Sequence, residues 1–316
     1  MVTFIITYYN LPVQMLCECI DSILALSLRP YEREILVIDD GSDVSPMNDL
    51  LHYGNDIIYI RQRNGGLSEA RNKGILSATG TYLQFIDADD RLVVNAYEHC
   101  LDIIRYQKDV DMVLFNTTSS TTADLDFTDS SPVSGTEYMR HNNIHASACG
   151  YLFSRSVLGD LRFTSGIVHE DEEFTPRLLL HAERVFPTKA KAYFYRQRPH
   201  SITTSTDEDN CTKRLDDTRD IIVRLQTFAD RVSHNDALAL QRRIAQLTMD
   251  YLYNTIMLTR SRQVLDQRID ELYQQGLFPL PDRKYSQKYI WFRRLTNSSM
   301  GRSILLRTLP LLKKER

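Results

Sequence analysis

Up to Phe115 the chain alternates short, strongly apolar runs with segments of helical spacing, and that alternation restricts what it can fold into. Val2 to Thr7 read as a buried strand, and Leu16, Ile20, Ile23 and Leu24 then recur at helical spacing between Met15 and Leu26. Glu34 to Asp39 and Ile57 to Arg61 read as further strands, the second followed by the turn signal Asn64-Gly65-Gly66. Ser68 is placed to cap a helix running to Ser77, with Glu69 in its first turn. Thr79-Gly80 ends that helix, and a fourth strand leads into Asp87. Asn95 to Tyr106 reads as helix and Met112 to Phe115 as strand. Strands alternating with helices predict an α/β layer fold with a mostly parallel central sheet.

The pattern changes near Asn116. Thr117 to Ser134 is rich in Ser, Thr and Asp and reads as an irregular or hairpin excursion. A short helix is expected over Gly135 to Arg140, and a longer one over Glu170 to His181, with Phe174, Leu178 and Leu179 on one face. Ala192 to Arg196 reads as a strand. From about Asn210 the signal is helical, with one stripe at Ile221, Ile222, Leu225 and Phe228 and another at Leu240, Ile244, Leu247, Tyr251 and Leu252. A C-terminal bundle of three or four helices is therefore expected. A chain of 316 residues exceeds one small core. The expected division is a domain over 1–205 and a helical region over 206–316.

Composition excludes some roles. The net charge of −3 gives no reason to expect a nucleic-acid partner. Charge is uneven, however. Arg283 to Arg316 carries ten Lys/Arg against one acid, a net +9 that leaves −12 elsewhere. The five cysteines are odd in number and contain no C-x-x-C pair, so neither a disulfide framework nor a zinc site is indicated. A cytoplasmic setting is expected, with no signal peptide and no membrane span in the apolar pattern.

Acidic residues cluster where strands end. Asp39-Asp40-Gly41-Ser42 follows Ile35-Leu36-Val37-Ile38, and Asp87-Ala88-Asp89-Asp90 follows Tyr82-Leu83-Gln84-Phe85-Ile86. Crowded carboxylates repel unless a cation or a hydrogen-bonding ligand lies between them. The ends of parallel strands in an open α/β sheet are where ligands bind. Hard carboxylate oxygens favour magnesium or manganese over zinc. The segment Asn64 to Asn72 joins glycines to a helix N-terminus, a combination that suits phosphate, and sets Arg71 one turn into the helix. Glu170-Asp171-Glu172 opens another helix, either as dipole-favoured caps or as a source of a general base. Taken singly, the D-D-G-S and N-x-G-G segments read more readily as ordinary connections than as sites. Their co-occurrence is the stronger signal.

In order and spacing these motifs resemble the inverting family-2 glycosyltransferases of GT-A, Rossmann-like fold. The motifs are T-Y-Y-N at Thr7 to Asn10, V-I-D-D-G-S at Val37 to Ser42, and N-x-G-x-S-x-A-R-N at Asn64 to Asn72. F-I-D-A-D-D follows at Phe85 to Asp90, then the E-D pair Glu170-Asp171 about eighty residues on, then Tyr195 to Ile202. The resemblance implies that Thr7 and Asp40 contact a nucleobase, that Tyr9, Asn10 and Asn64 belong to the same nucleotide site, and that Arg71 lies near base and phosphates. Asp87 and Asp89 match the D-x-D motif, Asp89 as the direct metal ligand and Asp87 beside it, with Asp90 assisting. Asp171 matches the catalytic base. Arg198 and Ser201 match a segment that closes over the diphosphate, although His200 stands where relatives carry a small residue. The proline often found before Asn10 is missing.

The resemblance further implies a Mn2+ or Mg2+ cofactor and a nucleotide-diphosphate sugar donor, most simply a UDP-sugar. The acceptor would be a glycan or lipid-linked glycan of a bacterial surface or capsular polysaccharide. Basic and apolar residues mixed in the tail fit an anionic membrane, hence a peripheral place on the inner face of the plasma membrane, or equally a helix packed on its own domain. Two other classes remain open. A sugar nucleotidyltransferase needs a glycine-rich phosphate loop after the first strand, which is missing here. A non-catalytic nucleotide- or glycan-binding relative is expected to lose Asp89 or Asp171, and both are present.

Overall fold

The computed structural model describes residues 1–120, 127, 131–198 and 208–312. These residues fall into two compact units, one drawn from Met1–Tyr138 and His145–Pro199, the other from Met139–Ile144 and His200–Arg316.

The first unit is built on an eight-stranded sheet. In chain order its strands are β1 (Val2–Tyr8), β2 (Arg33–Asp39), β3 (Ile58–Arg61), β4 (Tyr82–Asp87), β5 (Arg91–Leu92), β6 (Met112–Thr118), β7 (Tyr151–Ser154) and β8 (Val185–Phe194). They lie in the order β3-β2-β1-β4-β7-β6-β8-β5. β3, β2, β1 and β4 run parallel, and β7 enters antiparallel to both β4 and β6. The helices of this unit are α1 (Val13–Leu24), α2 (Met47–Leu50), α3 (Leu67–Ser77), α4 (Val94–Tyr106), the start of α5 (Gly135–His141) and α6 (Asp171–Leu180). Every residue of β1 is buried, as expected for a central parallel strand covered on both faces.

Register aligns the chemistry. Thr7 of β1 pairs with Asp87 of β4, and Tyr8 with Asp39 of β2, so the three strands end level with their polar residues side by side. α3 lies close over β1 because Gly74 has no side chain. A Cβ there would stand 2.2 Å from Cγ2 of Ile5, itself fully buried. Alanine favours helix over glycine by about 0.5–1 kcal/mol. Overpacking a closed core costs about 1–3 kcal/mol. Gly74→Ala is therefore expected to lower the thermal midpoint rather than raise it, which a calorimetric scan would check.

Several local expectations change. Ser68 is not the cap of α3. Gly66 occupies that position with φ 89°, and Ser68 is buried inside the first turn with no hydrogen-bond partner for its hydroxyl. β8 starts at Val185, well before Ala192, and β7 is a strand that no sequence pattern had marked. Much of the Thr117 to Ser134 excursion lies outside the described residues, although β6 continues to Thr118.

The second unit carries five helices among its described residues: α7 (Glu208–Ala229), α8 (His234–Thr259), α9 (Arg262–Gln274), α10 (Gln287–Thr296) and α11 (Ser299–Leu312). The expected three or four is exceeded because the tail forms two helices of its own. Ser233, Ser261 and Ser286 cap α8, α9 and α10 by accepting a backbone N–H. Tyr289, Phe292 and Leu305 of the tail are buried, whereas Trp291, Met300, Ile304 and Leu311 are exposed. No helix of the described residues is long and apolar enough to cross a membrane.

Candidate functional site

The level strand ends place Thr7, Asp40 and Asp87 at one edge of the sheet. Asp40 is buried and both of its carboxylate oxygens accept hydrogen bonds. Oδ1 accepts from the Gly65 amide at 3.0 Å and from Gln62 Nε2 at 2.7 Å, and Oδ2 accepts from the Gly66 amide at 2.8 Å. Gly41, at φ 78°, allows the approach, since a Cβ there would come 2.7 Å from the Asn64 amide nitrogen. Asp40 thus fixes the 62–66 loop, on which Asn64 is exposed. Its neighbour Asp39 is also buried, accepting from the Ser42 amide at 2.9 Å and the Tyr59 hydroxyl at 2.5 Å.

Asn10 takes φ 48° and exchanges two hydrogen bonds with Asp43, at 3.0 and 2.9 Å, while its amide donates to Ser42 Oγ at 3.0 Å. These contacts join the ends of β1 and β2. Tyr9 beside it is exposed. The Thr7 hydroxyl faces Asp87 Oδ1 at 3.4 Å.

Arg71 projects from α3 into the interior. One guanidinium nitrogen lies 3.1 Å from Asp87 Oδ1, and another pairs with the buried Glu170. The group lies 5.3 Å from the centre of the Phe163 ring and 6.0 Å from that of Phe85. Burial works to lower the guanidinium pKa, yet Asp87 and Glu170, with a contribution from Asp171, raise it above the ordinary value. Stranding one member of such a buried pair costs about 3–5 kcal/mol.

The D-A-D-D carboxylates sit in a second charged network. Arg198 reaches Asp89 Oδ2 at 2.5 Å. Burial, then the charge of Asp87, raises the Asp89 pKa, and Arg198 opposes the shift. Asp90 is almost wholly inaccessible. It accepts from the Tyr193 hydroxyl at 2.8 Å and from the Arg196 amide at 2.8 Å. Burial and the nearby Asp87 push its carboxyl up to about 7 against those two donors. The same Tyr193 oxygen accepts from the Asp87 amide at 3.1 Å, and Arg196 also binds the Asp89 carbonyl at 2.8 Å and pairs with Glu18. Tyr193 and Glu18 carry no motif. An apolar-looking strand hides the first and an ordinary amphipathic helix the second.

Asp171 opens α6 directly after Glu170, so the pairing with Arg71 brings the E-D motif to the β4 end. Thr7, Tyr9, Asn10, Asp40, Asn64, Arg71, Asp87, Asp89, Asp171 and Arg198 all belong to the first unit. Ser201 and His200 lie outside the described residues.

No three of His, Cys, Asp or Glu gather among the described residues so as to enclose a metal ion. Of the three carboxylates in the D-A-D-D run, Asp87 and Asp89 are half-buried and reachable, whereas Asp90 is buried. Magnesium-type ions are commonly held by one or two carboxylates, with substrate phosphates and water completing the shell. The donor set therefore fits an ion that shares its coordination with a phosphorylated ligand, and does not form an all-protein cage.

The strand order, with acidic residues at level parallel strand ends, is that of an α/β fold of GT-A type. Residues 3–161 match the family described as Glycosyl transferase family 2, and the chain belongs to that family. It is 28% identical over 224 residues to glycosyltransferase GlyA of Streptococcus pneumoniae serotype 4, covering 64% of this chain and 31% of that protein. It is 31% identical over 220 residues to the uncharacterized glycosyltransferase EpsJ of Bacillus subtilis, covering 64% of this chain and 63% of the relative. The matches thus span about a third and under two thirds of these two relatives. The crystal structure of S. aureus TarS 1-349 in complex with UDP-GlcNAc has a similar fold. Its TM-score is 0.66 at 17% identity, covering 99% of this chain and 91% of that one.

Proposed function

We propose that the protein transfers a sugar from a nucleotide-diphosphate donor to a hydroxyl of an acceptor, with inversion at the anomeric carbon. The observation that carries the reading is the Arg71 bridge, which joins Asp87 at the end of β4 to Glu170, immediately before Asp171.

In this reading Thr7, Tyr9, Asn10, Asp40 and Asn64 form the base end of the donor site. Asp40 acts there partly by fixing the 62–66 loop. Arg71 lends a fixed positive charge to the diphosphate end, and Arg198 and Ser201 close over it. Asp89, with Asp87, would hold a Mn2+ or Mg2+ ion, which would supply positive charge opposite the diphosphate of the leaving nucleotide. Asp171 takes the proton from the attacking hydroxyl as its oxygen bonds to the anomeric carbon on the face opposite the nucleotide, and the bond from that carbon to the diphosphate breaks with its electron pair leaving on the nucleotide diphosphate. UDP is the favoured carrier, and GDP and dTDP are the competitors. Incubating the protein with a panel of nucleotide sugars and Mn2+, and following nucleotide release, tests this. If no sugar nucleotide is turned over or bound, the reading falls.

The acceptor is a growing glycan, free or lipid-linked, of a bacterial surface polysaccharide. The tail brings the enzyme to an anionic membrane. Trp291, Met300, Ile304 and Leu311 are exposed amid Lys284, Lys288, Arg294 and Arg307, a mixture of apolar and basic groups that suits a headgroup boundary. Full-length protein is expected to co-sediment with phosphatidylglycerol vesicles at low salt and to be released as salt rises. Trp291→Ser with Ile304→Ser is expected to weaken that binding without unfolding the chain. Protein that stays in the supernatant at low salt rejects the membrane role. Removing the tail is the poorer test, because it also removes buried Tyr289, Phe292 and Leu305.

A further inference from the structure

The segment leading to Asp171 is braced against one turn of α3. Glu69 accepts from the Ser165 hydroxyl. Asn72 donates to the Phe163 carbonyl and accepts from the Phe163 amide, each at 2.9 Å. Arg71 pairs with Glu170. Phe163 in turn stacks on Phe174 of α6, with ring centres 3.8 Å apart and planes 11° from parallel. The Thr164 hydroxyl donates to Glu173 at 3.0 Å. His169 adopts a left-handed φ of 64° just before Glu170.

Glu170 holds the N-cap position of α6 yet makes no side-chain cap bond. A carboxylate at that position ordinarily takes the free N–H groups of the first turn. This one turns instead to a buried guanidinium from a residue 99 positions away. The tertiary pairing, and not the local helix end, decides where it points.

We propose that Glu170 is a positioning residue for transfer: through Arg71 it fixes the start of α6, and Asp171 with it, relative to Asp87. The inference rests on the transferase reading above. Glu170 exchanges no proton with substrate. Its length sets the distance between α3 and α6, so length matters more than charge. Misplacing a catalytic group by about 1 Å can cost on the order of 10²-fold in rate.

Two variants separate length from charge. Glu170→Gln keeps the reach and an acceptor oxygen for Arg71 but loses the charge. Glu170→Asp keeps the charge, and hence a charged partner for Arg71, but is one methylene shorter. Hydrolysis or transfer of UDP-N-acetylglucosamine, UDP-glucose and UDP-galactose with Mn2+ is measured for wild type first, and the donor it turns over is used for both variants. Thermal melting establishes that each is folded. Glu170→Gln is expected to melt earlier yet lose less than about tenfold in kcat, whereas Glu170→Asp loses about 10–10²-fold, with donor KM within about twofold in both. Glu170→Asp as active as wild type overturns the proposal. So does Glu170→Gln as inactive as Asp171→Asn, which would make Glu170 a proton-transfer group. A loss that appears in donor KM instead of kcat also overturns it, since Glu170 would then serve donor binding. If wild type turns over none of these donors, the assay is run with the wider panel that includes GDP- and dTDP-sugars, and if no sugar nucleotide is turned over the transferase reading itself has failed and this inference falls with it.

Discussion

Asp171→Asn is expected to lower sugar transfer by about 10²–10⁴-fold, the usual contribution of a positioned general base. The substitution keeps the size of the side chain and much of its hydrogen bonding, and removes only the basic oxygen. Asp171 sits in the first turn of α6, where a helix favours a negative charge. Losing that charge costs about 0.3–1 kcal/mol of stability, too little to unfold the chain. UDP affinity, measured by calorimetry, is expected to change by less than about twofold, because none of the residues proposed to bind the donor lies on α6. A loss of kcat with intact UDP binding supports the assignment. Full activity in Asp171→Asn removes the base from Asp171 and returns attention to Glu170 or Glu172.

Asp89→Ala is expected to abolish the dependence of UDP binding on Mn2+ or Mg2+. Groups that merely support a metal ligand cost about 10–100-fold in metal affinity when removed, so loss of a ligand itself is expected to exceed that. The remaining carboxylate, Asp87, already lies against Arg71 and is a poor substitute. Arg198 loses its partner in the same variant. Weaker UDP binding in both the presence and absence of metal would therefore report Arg198, while loss of the difference between the two conditions reports the metal. Wild-type protein that binds UDP equally with Mn2+ and with a chelator rules out the metal assignment.

The parts of the fold legible in the sequence are those whose information is local. β1, β2 and β4 are continuous apolar runs because both faces are covered, and each ends in a polar residue that marks the sheet edge. β7 escaped notice because four residues, Tyr151 to Ser154, make no periodic pattern, and their partners in β4 and β6 lie far away in the chain. β8 reads late because Pro187 and the exposed Lys189 and Lys191 interrupt the apolar residues of a strand that ends in Phe194. Ser68 carried a cap signal that the conformation of Gly66 overrode.

The site divides the same way. Acids after strands were visible, and so was the E-D pair. Which carboxylate meets which cation was not, since Arg71 and Glu170 stand 99 residues apart and nothing local pairs them. Nor could sequence show that Asp40 accepts from the Gly65 and Gly66 amides, because that depends on the 62–66 backbone folding back over Gly41.

The second unit is discontinuous, and this bears on biosynthesis. Met139–Ile144 belongs to it although it precedes β7 in the chain. Arg242 donates to the Arg140 carbonyl and the Asn143 side chain, each at 2.8 Å, and the buried Arg243 donates to the Ile144 carbonyl at 3.1 Å. These partners lie 99–102 residues apart, so the six-residue insert leaves the ribosome long before the helix that receives it. Vectorial synthesis cannot finish the C-terminal bundle as an autonomous module. A fragment beginning at Glu208 would lack the carbonyls that Arg242 and Arg243 use, and supplying a peptide covering Met139–Ile144 in trans is the rational complement for it.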